Sequence, residues 1–387
     1  MNRILILIPW YYPGYRSGGP QQTVANIVDT FGSESELYII TQDHDLGVRT
    51  PYGDIKYKTW NKVGKSRVMY VKSKEFARGT YLRDAYEKFS IIYSCGLFEK
   101  NTIMLLFLHR IKTDENKKIY VAPMGVFSKG ALKIKYFKKK LFICFSKKSG
   151  LFTDIIWSFT SGQELSDAQN ALGKKAVKSF VIAEDLPKKI DFDESWNYVR
   201  RSKKTKGRLH IVFLSRICEK KNLRFCLEIL NKIHPGEIRF DIYGVREDEG
   251  YWNSCKKDSE EMPDYIKVRY MGAVEPQNVV GIFREYDIFL FPTKGENFGH
   301  VIYEALAAGC IPVISDQTPW LDLDERGCGN VIALEHTDEF RKKVNGWLDC
   351  DREAFLLAKR KAVQYAREKY GKSILQSGYK QIFMTDS

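Results

Sequence analysis

Residues 292–315 read PTKGENFGHVIYEALAAGCIPVIS and hold two carboxylates in unequal settings. Glu296 sits beside an Asn-Phe-Gly turn, just after the apolar run YDIFLFP (286–292), whereas Glu304 interrupts an almost wholly apolar helical stretch. The apolar run reads as a buried strand, and in open parallel sheets ligands lie beyond the carboxyl ends of the strands. Gly299 permits a tight turn there. With a helix starting near His300, the amides of Phe298, Gly299 and His300, with Asn297 on the same turn, would face a ligand and favour an anion. Glu304 lies four residues beyond His300 on the same side of that helix. Its carboxylate either reaches the same ligand, where sugar hydroxyls are suitable partners, or faces water. The apolar neighbours Val301, Ile302, Ala305 and Leu306 leave little polar face for the second alternative, and a buried carboxylate without partners is costly.

Two cations stand at the end of the strand-like run RLHIVFLSR (208–216), Arg216 as its last residue and Lys221 just beyond it, and Gly18 with Gly19 follows RILILI (3–8) and its loop. Cations at a strand end suit the neutralisation of phosphate charge, and paired glycines let a backbone approach a phosphate or sugar. Taken alone, the first pair reads better as solvated loop charges and the second as an ordinary turn.

These groups require a scaffold of strands and helices. RILILI, LYIIT (37–41), RVMYV (67–71), SIIYS (90–94), KIYVA (118–122) and DIIWSFT (154–160) read as strands of a first half. RLHIVFLSR, RFDIYG (239–244), KVRYMG (267–272), YDIFLFP and CIPVIS (310–315) form a second series. Continuous apolar strands separated by helix-length segments imply parallel sheets covered on both faces, hence an α/β protein of two Rossmann-like domains. A length of 387 residues with 44% apolar content fits two cores. The expected organisation is a first domain over 1–186, a charged linker over 187–207, a second domain over 208–365, and a C-terminal helix over 366–387 free to cross back to the first.

The string ENFGHVIYEALAAGCIPVI resembles the E-x7-E donor-site signature of glycosyltransferase family 4, a group of retaining sugar transferases with the GT-B fold, and its continuation SDQTPW resembles a bacterial surface-polysaccharide branch. The resemblance implies a retaining glycosyltransferase that moves a sugar from a nucleotide-diphosphate donor, held in a cleft between the domains, to a glycan acceptor, commonly lipid-linked, in O-antigen, capsule or lipopolysaccharide synthesis. It implies that Glu304 holds the donor ribose and that Glu296 and the amides of Phe298 to His300 hold the sugar. FLSRICEKKNL resembles the family's Arg-x4-Lys element, which assigns Arg216 and Lys221 to the donor diphosphate, and PGYRSGGP resembles the loop that covers it, with Gly18 and Gly19. TQDHDLG and TPYG resemble acceptor-face loops, and GVREDEG (244–250) and MGAVEP (271–276) the loops that frame the base. The family's first-domain histidine has no counterpart: the two candidate strand ends carry Cys95 and Met124, with His109 as a possible substitute or a core residue.

No metal and no other cofactor is expected, because the family design uses Arg, Lys and helix amides in that role; the D-x-D triplets at 43–45 and 322–324 sit away from donor-half strand ends. Eight scattered cysteines without a C-x-x-C pair argue against a zinc site or disulfide framework. The first apolar segment is too short to span a bilayer and reads as a buried strand of a cytoplasmic protein. A formal charge of +14 points to an anionic partner. Residues 117–148 hold ten lysines and no acidic residue, and ALKIKYFKKKLFICF reads either as a basic amphipathic helix on an anionic membrane surface or as a solvated helical face. The first alternative gives a protein peripheral to the inner face of the plasma membrane. Two other functions remain: a GT-B epimerase or phosphorylase, and a basic protein that binds nucleic acid, which leaves the glutamate pair and Arg216 without a task.

Overall fold

The apolar runs form strands in both halves of the chain. In the computed structural model, which describes residues 2–133 and 136–384, the chain divides into two compact units, 1–186 with 373–387, and 187–372. The first unit is built on β1 (Arg3–Leu7), β2 (Glu36–Gln42), β3 (Trp60–Val63), β4 (Ser66–Val71), β5 (Ile91–Cys95), β6 (Lys118–Ala122), β7 (Ile155–Phe159) and β8 (Phe180–Ile182). They lie in the order β3-β4-β2-β1-β5-β6-β7-β8, parallel throughout except for the β3–β4 pair. Apolar clusters cover both faces, with Ile4, Ile6 and Tyr93 on one side and Leu5, Leu7 and Ile92 on the other.

The second unit holds β9 (Arg208–Leu214), β10 (Glu237–Tyr243), β11 (Ile266–Gly272), β12 (Ile288–Phe291), β13 (Ile311–Ser315) and β14 (Asn330–Ile332). Their order, β11-β10-β9-β12-β13-β14, is that of a doubly wound parallel sheet. Strand order reverses between β9 and β12, so the loops after these two strands diverge and leave a crevice at their carboxyl ends. Both loops carry residues singled out above.

Three short strands, β3, β8 and β14, were not expected. Each lies at a sheet edge, where pairing on one side needs no continuous apolar run.

Two boundaries differ from expectation. The segment 187–207 is no linker: it contains the helix Phe192–Arg201 and belongs to the second unit. Asp191 caps that helix by accepting from the amides of Asp193 and Glu194, each at 3.0 Å. Ser195 and Val199 are buried four residues apart, so one narrow buried stripe suffices and the charged remainder concealed it. The C-terminal helix begins well before 366, spanning Arg352–Leu375, and the chain rejoins the first unit at Ser373. There Tyr379, Ile382 and Phe383 are buried, Phe383 stacks on Phe31 at 6.0 Å, and Ser35 Oγ donates to Phe383 O at 2.5 Å. Among the described residues no helix is long and apolar enough to cross a membrane.

Candidate active site

In the second unit the loop leaving β12 runs Pro292, Thr293, Lys294, Gly295, Glu296, and the loop leaving β9 runs through Arg216 to the single 3-10 turn Glu219–Lys221. The two are stitched at the switch point. Lys294 N donates to Lys220 O at 2.8 Å, and Asn222 Nδ2 donates to Pro292 O at 2.9 Å. Within this frame Lys221 Nζ pairs with Glu296 Oε1, both side chains largely buried. Thr293 Oγ1 donates to the same carboxylate oxygen at 3.0 Å, and Glu296 N donates to Gln317 O at 3.0 Å. Thr293 is held in turn by Ser315 Oγ, which donates to its carbonyl at 2.5 Å. The Lys221 ammonium lies 5.6 Å from the Phe291 ring centroid, so its stem is packed and its charge positioned.

Past Glu296 the chain turns through Gly299, whose φ of 78° is left-handed. A Cβ there would meet Ile302 Cδ1 at 2.9 Å, a side-chain end that can shift, so it is the left-handed conformation that favours glycine. The helix His300–Ala308 begins at once. The amides of Ile302 and Tyr303 turn onto Gly299 O at 2.8 and 3.3 Å, and the earlier amides stand at the helix start, where the positive end of the macrodipole is concentrated. Trp320 Nε1 donates to Phe298 O at 2.5 Å with the rings 5.6 Å apart, which fixes the turn from below. The His300 imidazole packs 4.8 Å from the Phe298 ring, and burial pushes its pKa down to about 4, so it is neutral.

Glu304 is buried, so it does not face water as one of the two alternatives had it. Desolvation pushes its pKa up to about 7, against the opposing pull of the Lys188 ammonium. No described residue donates a hydrogen bond to its carboxylate. Lys188 Nζ donates to Pro276 O at 2.8 Å, and Tyr303 OH donates to Lys188 O at 2.9 Å, which joins the start of the unit to the helix and to the loop after β11.

Arg216 takes a different partner from Lys221. Its guanidinium pairs with Glu247 in the loop after β10, and both side chains are considerably exposed. That loop lies hard against the first: Ile217 N donates to Val245 O at 2.8 Å, and a Cβ on Gly244, at φ 146°, would lie 1.7 Å from Ser215 O.

The structure thus gathers Lys221, Glu296 and the Phe298–His300 turn at one switch point, with Asn297 exposed on that turn. Thr293, Lys188 and Lys220 join them unforeseen. The threonine ending an apolar strand and the doubled lysine of EKKN were visible signals. Lys188, in what read as a linker, offered none.

Gly18 and Gly19 belong to the first unit. Gly18, at φ 72°, precedes the helix Gly19–Phe31, and its loop is anchored by Asp45, which accepts from Tyr15 N at 2.9 Å, Arg16 N at 3.2 Å and Leu46 N at 2.8 Å. One carboxylate of the first D-x-D triplet is therefore occupied by backbone. In the second, Asp322 accepts from Tyr365 OH at 2.6 Å and Asp324 from Val331 N at 2.7 Å. Among the described residues no group of three or more metal-ligating side chains is assembled. Cys95 ends β5, buried, with its thiol pKa pushed far up by desolvation. Met124 follows β6 at φ 59°. His109 is a core residue, with Tyr86 OH 2.9 Å from Nδ1 and Asp154 O 3.1 Å from Nε2.

Comparison with known proteins places this arrangement. Residues 194–369 match the family model described as glycosyl transferases group 1. A Klebsiella pneumoniae protein described as an uncharacterized 41.2 kDa protein in the cps region is 23% identical over 304 residues, 77% of this chain and 79% of its own length. The structure of Anabaena HepE in complex with UDP and glucose superposes with a TM-score of 0.67 at 13% identity, over 97% of this chain and 98% of that one. WaaG, a glycosyltransferase involved in lipopolysaccharide biosynthesis, superposes with a TM-score of 0.65 at 12% identity, over 99% and 100%. The family-model match lies within the doubly wound second unit, and the chain has the GT-B fold.

Proposed function

We propose that the protein is a retaining glycosyltransferase that moves a sugar from a nucleoside-diphosphate donor to a lipid-linked glycan acceptor in cell-surface polysaccharide synthesis, without a metal. The observation that carries this reading is the convergence on one switch point of a buried Lys221–Glu296 pair, a helix start, and a buried Glu304 whose carboxylate is not hydrogen-bonded by its own unit. In it, the Glu304 carboxylate accepts from ribose hydroxyls. The amides at Phe298 to His300, with Asn297 and Glu296, hold the sugar. Lys221, backed by Arg216 and the neighbouring Lys220, neutralises charge that grows on the diphosphate as the bond to the sugar breaks. In the first unit, the Gly18–Gly19 loop offers backbone to a phosphate or sugar. The UDP and glucose in the HepE complex support a nucleotide-sugar donor, and WaaG's role in lipopolysaccharide biosynthesis supports the acceptor class. A lipid-linked acceptor puts the reaction at the cytoplasmic membrane face.

The test is to incubate the protein with UDP-, GDP- and ADP-sugars and a lipid extract in EDTA, following nucleoside diphosphate release and movement of labelled sugar into the organic phase. One donor class should turn over, with NMR of the product showing the donor's anomeric configuration preserved. No turnover with any donor, or turnover restored only by a divalent cation, contradicts the reading.

A further inference from the structure

In the first unit, two neighbouring helices carry apolar side chains in solvent. The helix Tyr136–Lys148 turns Phe142 and Ile143 toward the core and buries Ser146. Its opposite side presents Phe137, Leu141 and Phe145 at intervals of four residues, which aligns them on one face. Phe137 is 84% exposed, Leu141 73% and Phe145 51%. The helix Lys100–Lys112 buries Leu105, Leu106 and His109 and leaves Met104, Phe107 and Ile111 out, with Ile111 78% exposed. The Phe107 and Phe145 rings lie 6.1 Å apart, so the two stripes meet and form one patch.

Isolated exposed apolar residues need no explanation, but a contiguous set on two helices marks an interaction surface. The charges around it choose the partner. Lys138, Lys140, Lys147 and Lys148 are exposed on the longer-charged helix, which has no acidic residue, and Arg110 and Lys112 flank the other. Lys112 is matched by Glu87 at 2.8 Å, and Lys139 is turned inward onto Ala131 O; the remaining lysines project beside the apolar stripe. Nucleic acid would use the charge but leave Phe137 and Leu141 in water. A lipid surface with anionic headgroups uses both, since apolar side chains enter the acyl boundary while lysines snorkel to phosphates.

We propose that this two-helix face, Met104, Phe107, Ile111, Phe137, Leu141 and Phe145 ringed by lysine, docks the protein on an anionic membrane. This deepens the reading of the acceptor as lipid-linked and rests on it only for its biological purpose. The contribution of the helix Lys100–Lys112 is not legible in sequence, where its apolar residues are indistinguishable from core.

The test is co-sedimentation of the full chain with vesicles of phosphatidylcholine alone and with one-quarter phosphatidylglycerol, together with the Phe137→Glu/Leu141→Glu, Lys138→Gln/Lys140→Gln and Ile111→Glu variants. The wild type should partition onto the mixed vesicles at least ~tenfold more strongly than onto the neutral ones, with the binding falling as salt rises. Both double variants should lose roughly tenfold or more, and Ile111→Glu a measurable part. Equal partition onto both vesicles, unchanged binding in the variants, or binding to duplex DNA or RNA in place of vesicles overturns the proposal. Every substituted side chain is exposed, so unchanged thermal midpoints should accompany the loss. Turnover of a water-soluble acceptor analogue should be unaffected in these variants; if turnover is absent in all proteins while vesicle binding follows the pattern, the transferase reading fails and the docking face stands.

Discussion

Glu296 and Glu304 close the same short motif and are treated in opposite ways by the fold. Glu296 is enclosed by partners from its own unit: the Lys221 ammonium, the Thr293 hydroxyl and, through its amide, Gln317. Glu304 is buried, with a pKa raised by desolvation and opposed by the Lys188 ammonium. A carboxylate so satisfied shapes its surroundings, whereas one desolvated without hydrogen bonds keeps its capacity for something that arrives later. In the function we propose, the first helps position the Lys221 cation and hold the sugar, and the second recognises the nucleotide.

The largest effect should come from breaking the satisfied pair. Lys221→Ala removes the positioned cation and strands Glu296, so turnover should fall by roughly 10²–10³ and stability by ~3 kcal/mol, read by steady-state kinetics and chemical denaturation. Adding Glu296→Gln should recover much of the stability and none of the turnover, because the stranded charge is gone while the cation is still missing. Recovery of both would make the pair purely structural.

Glu304→Gln should behave inversely. Nucleoside diphosphate affinity should drop about tenfold or more as charge-assisted bonds to hydroxyls are lost, while the fold is retained or stabilised because a buried charge is removed. The pH dependence follows with a definite sign. Glu304 ionises at about 4.5 when unfolded and near 7 when folded, so the folded state holds the extra proton between those values. Its contribution is intact below the lower value and is lost as pH rises through about 7, by up to ~3 kcal/mol. The midpoint difference between Glu304→Gln and wild type should widen from pH 5 to pH 8, and wild-type nucleotide affinity should rise over the same range; a difference independent of pH would place the carboxylate in water.

The turn between the two glutamates should give a smaller change. Gly299→Ala must adopt a left-handed backbone and displace Ile302, which should cost ~1–2 kcal/mol and weaken ligand binding in proportion, measured by thermal denaturation with and without nucleotide. Smallest is Glu247→Gln: the exposed Arg216 pair should contribute under about 0.5 kcal/mol, and freeing the guanidinium should leave turnover equal or higher.

How much of this could be read from residues follows the same division. Strands buried on both faces, such as IIYSC and IFLF, announce themselves because every side chain must be apolar; edge strands such as WNKV and NVI do not. The carboxylates, the turn and Lys221 were legible because strand, glycine and helix lie within a few residues of each other. Lys188 was not, since its influence on Glu304 depends on the segment around the helix Phe192–Arg201, whose single buried stripe is masked by six polar or charged positions out of ten. Arg216 was legible as a cation after β9 but its pairing with Glu247 was not, because it arises from the close approach at Gly244 of a loop some thirty residues away. The docking face lay between these cases: its lysines stood out, and its second helix needed the fold.

The most direct measurement is calorimetric titration of UDP, GDP and ADP into the wild type, Glu304→Gln and Lys221→Ala, all in EDTA. The account predicts that one nucleoside diphosphate binds the wild type without metal, about tenfold or more weakly when Glu304 is replaced, and with a further loss specific to the phosphates in Lys221→Ala. Absence of binding by all three nucleotides, or identical affinity in the wild type and Glu304→Gln, would contradict the assignment of the β9–β12 switch point as the donor site.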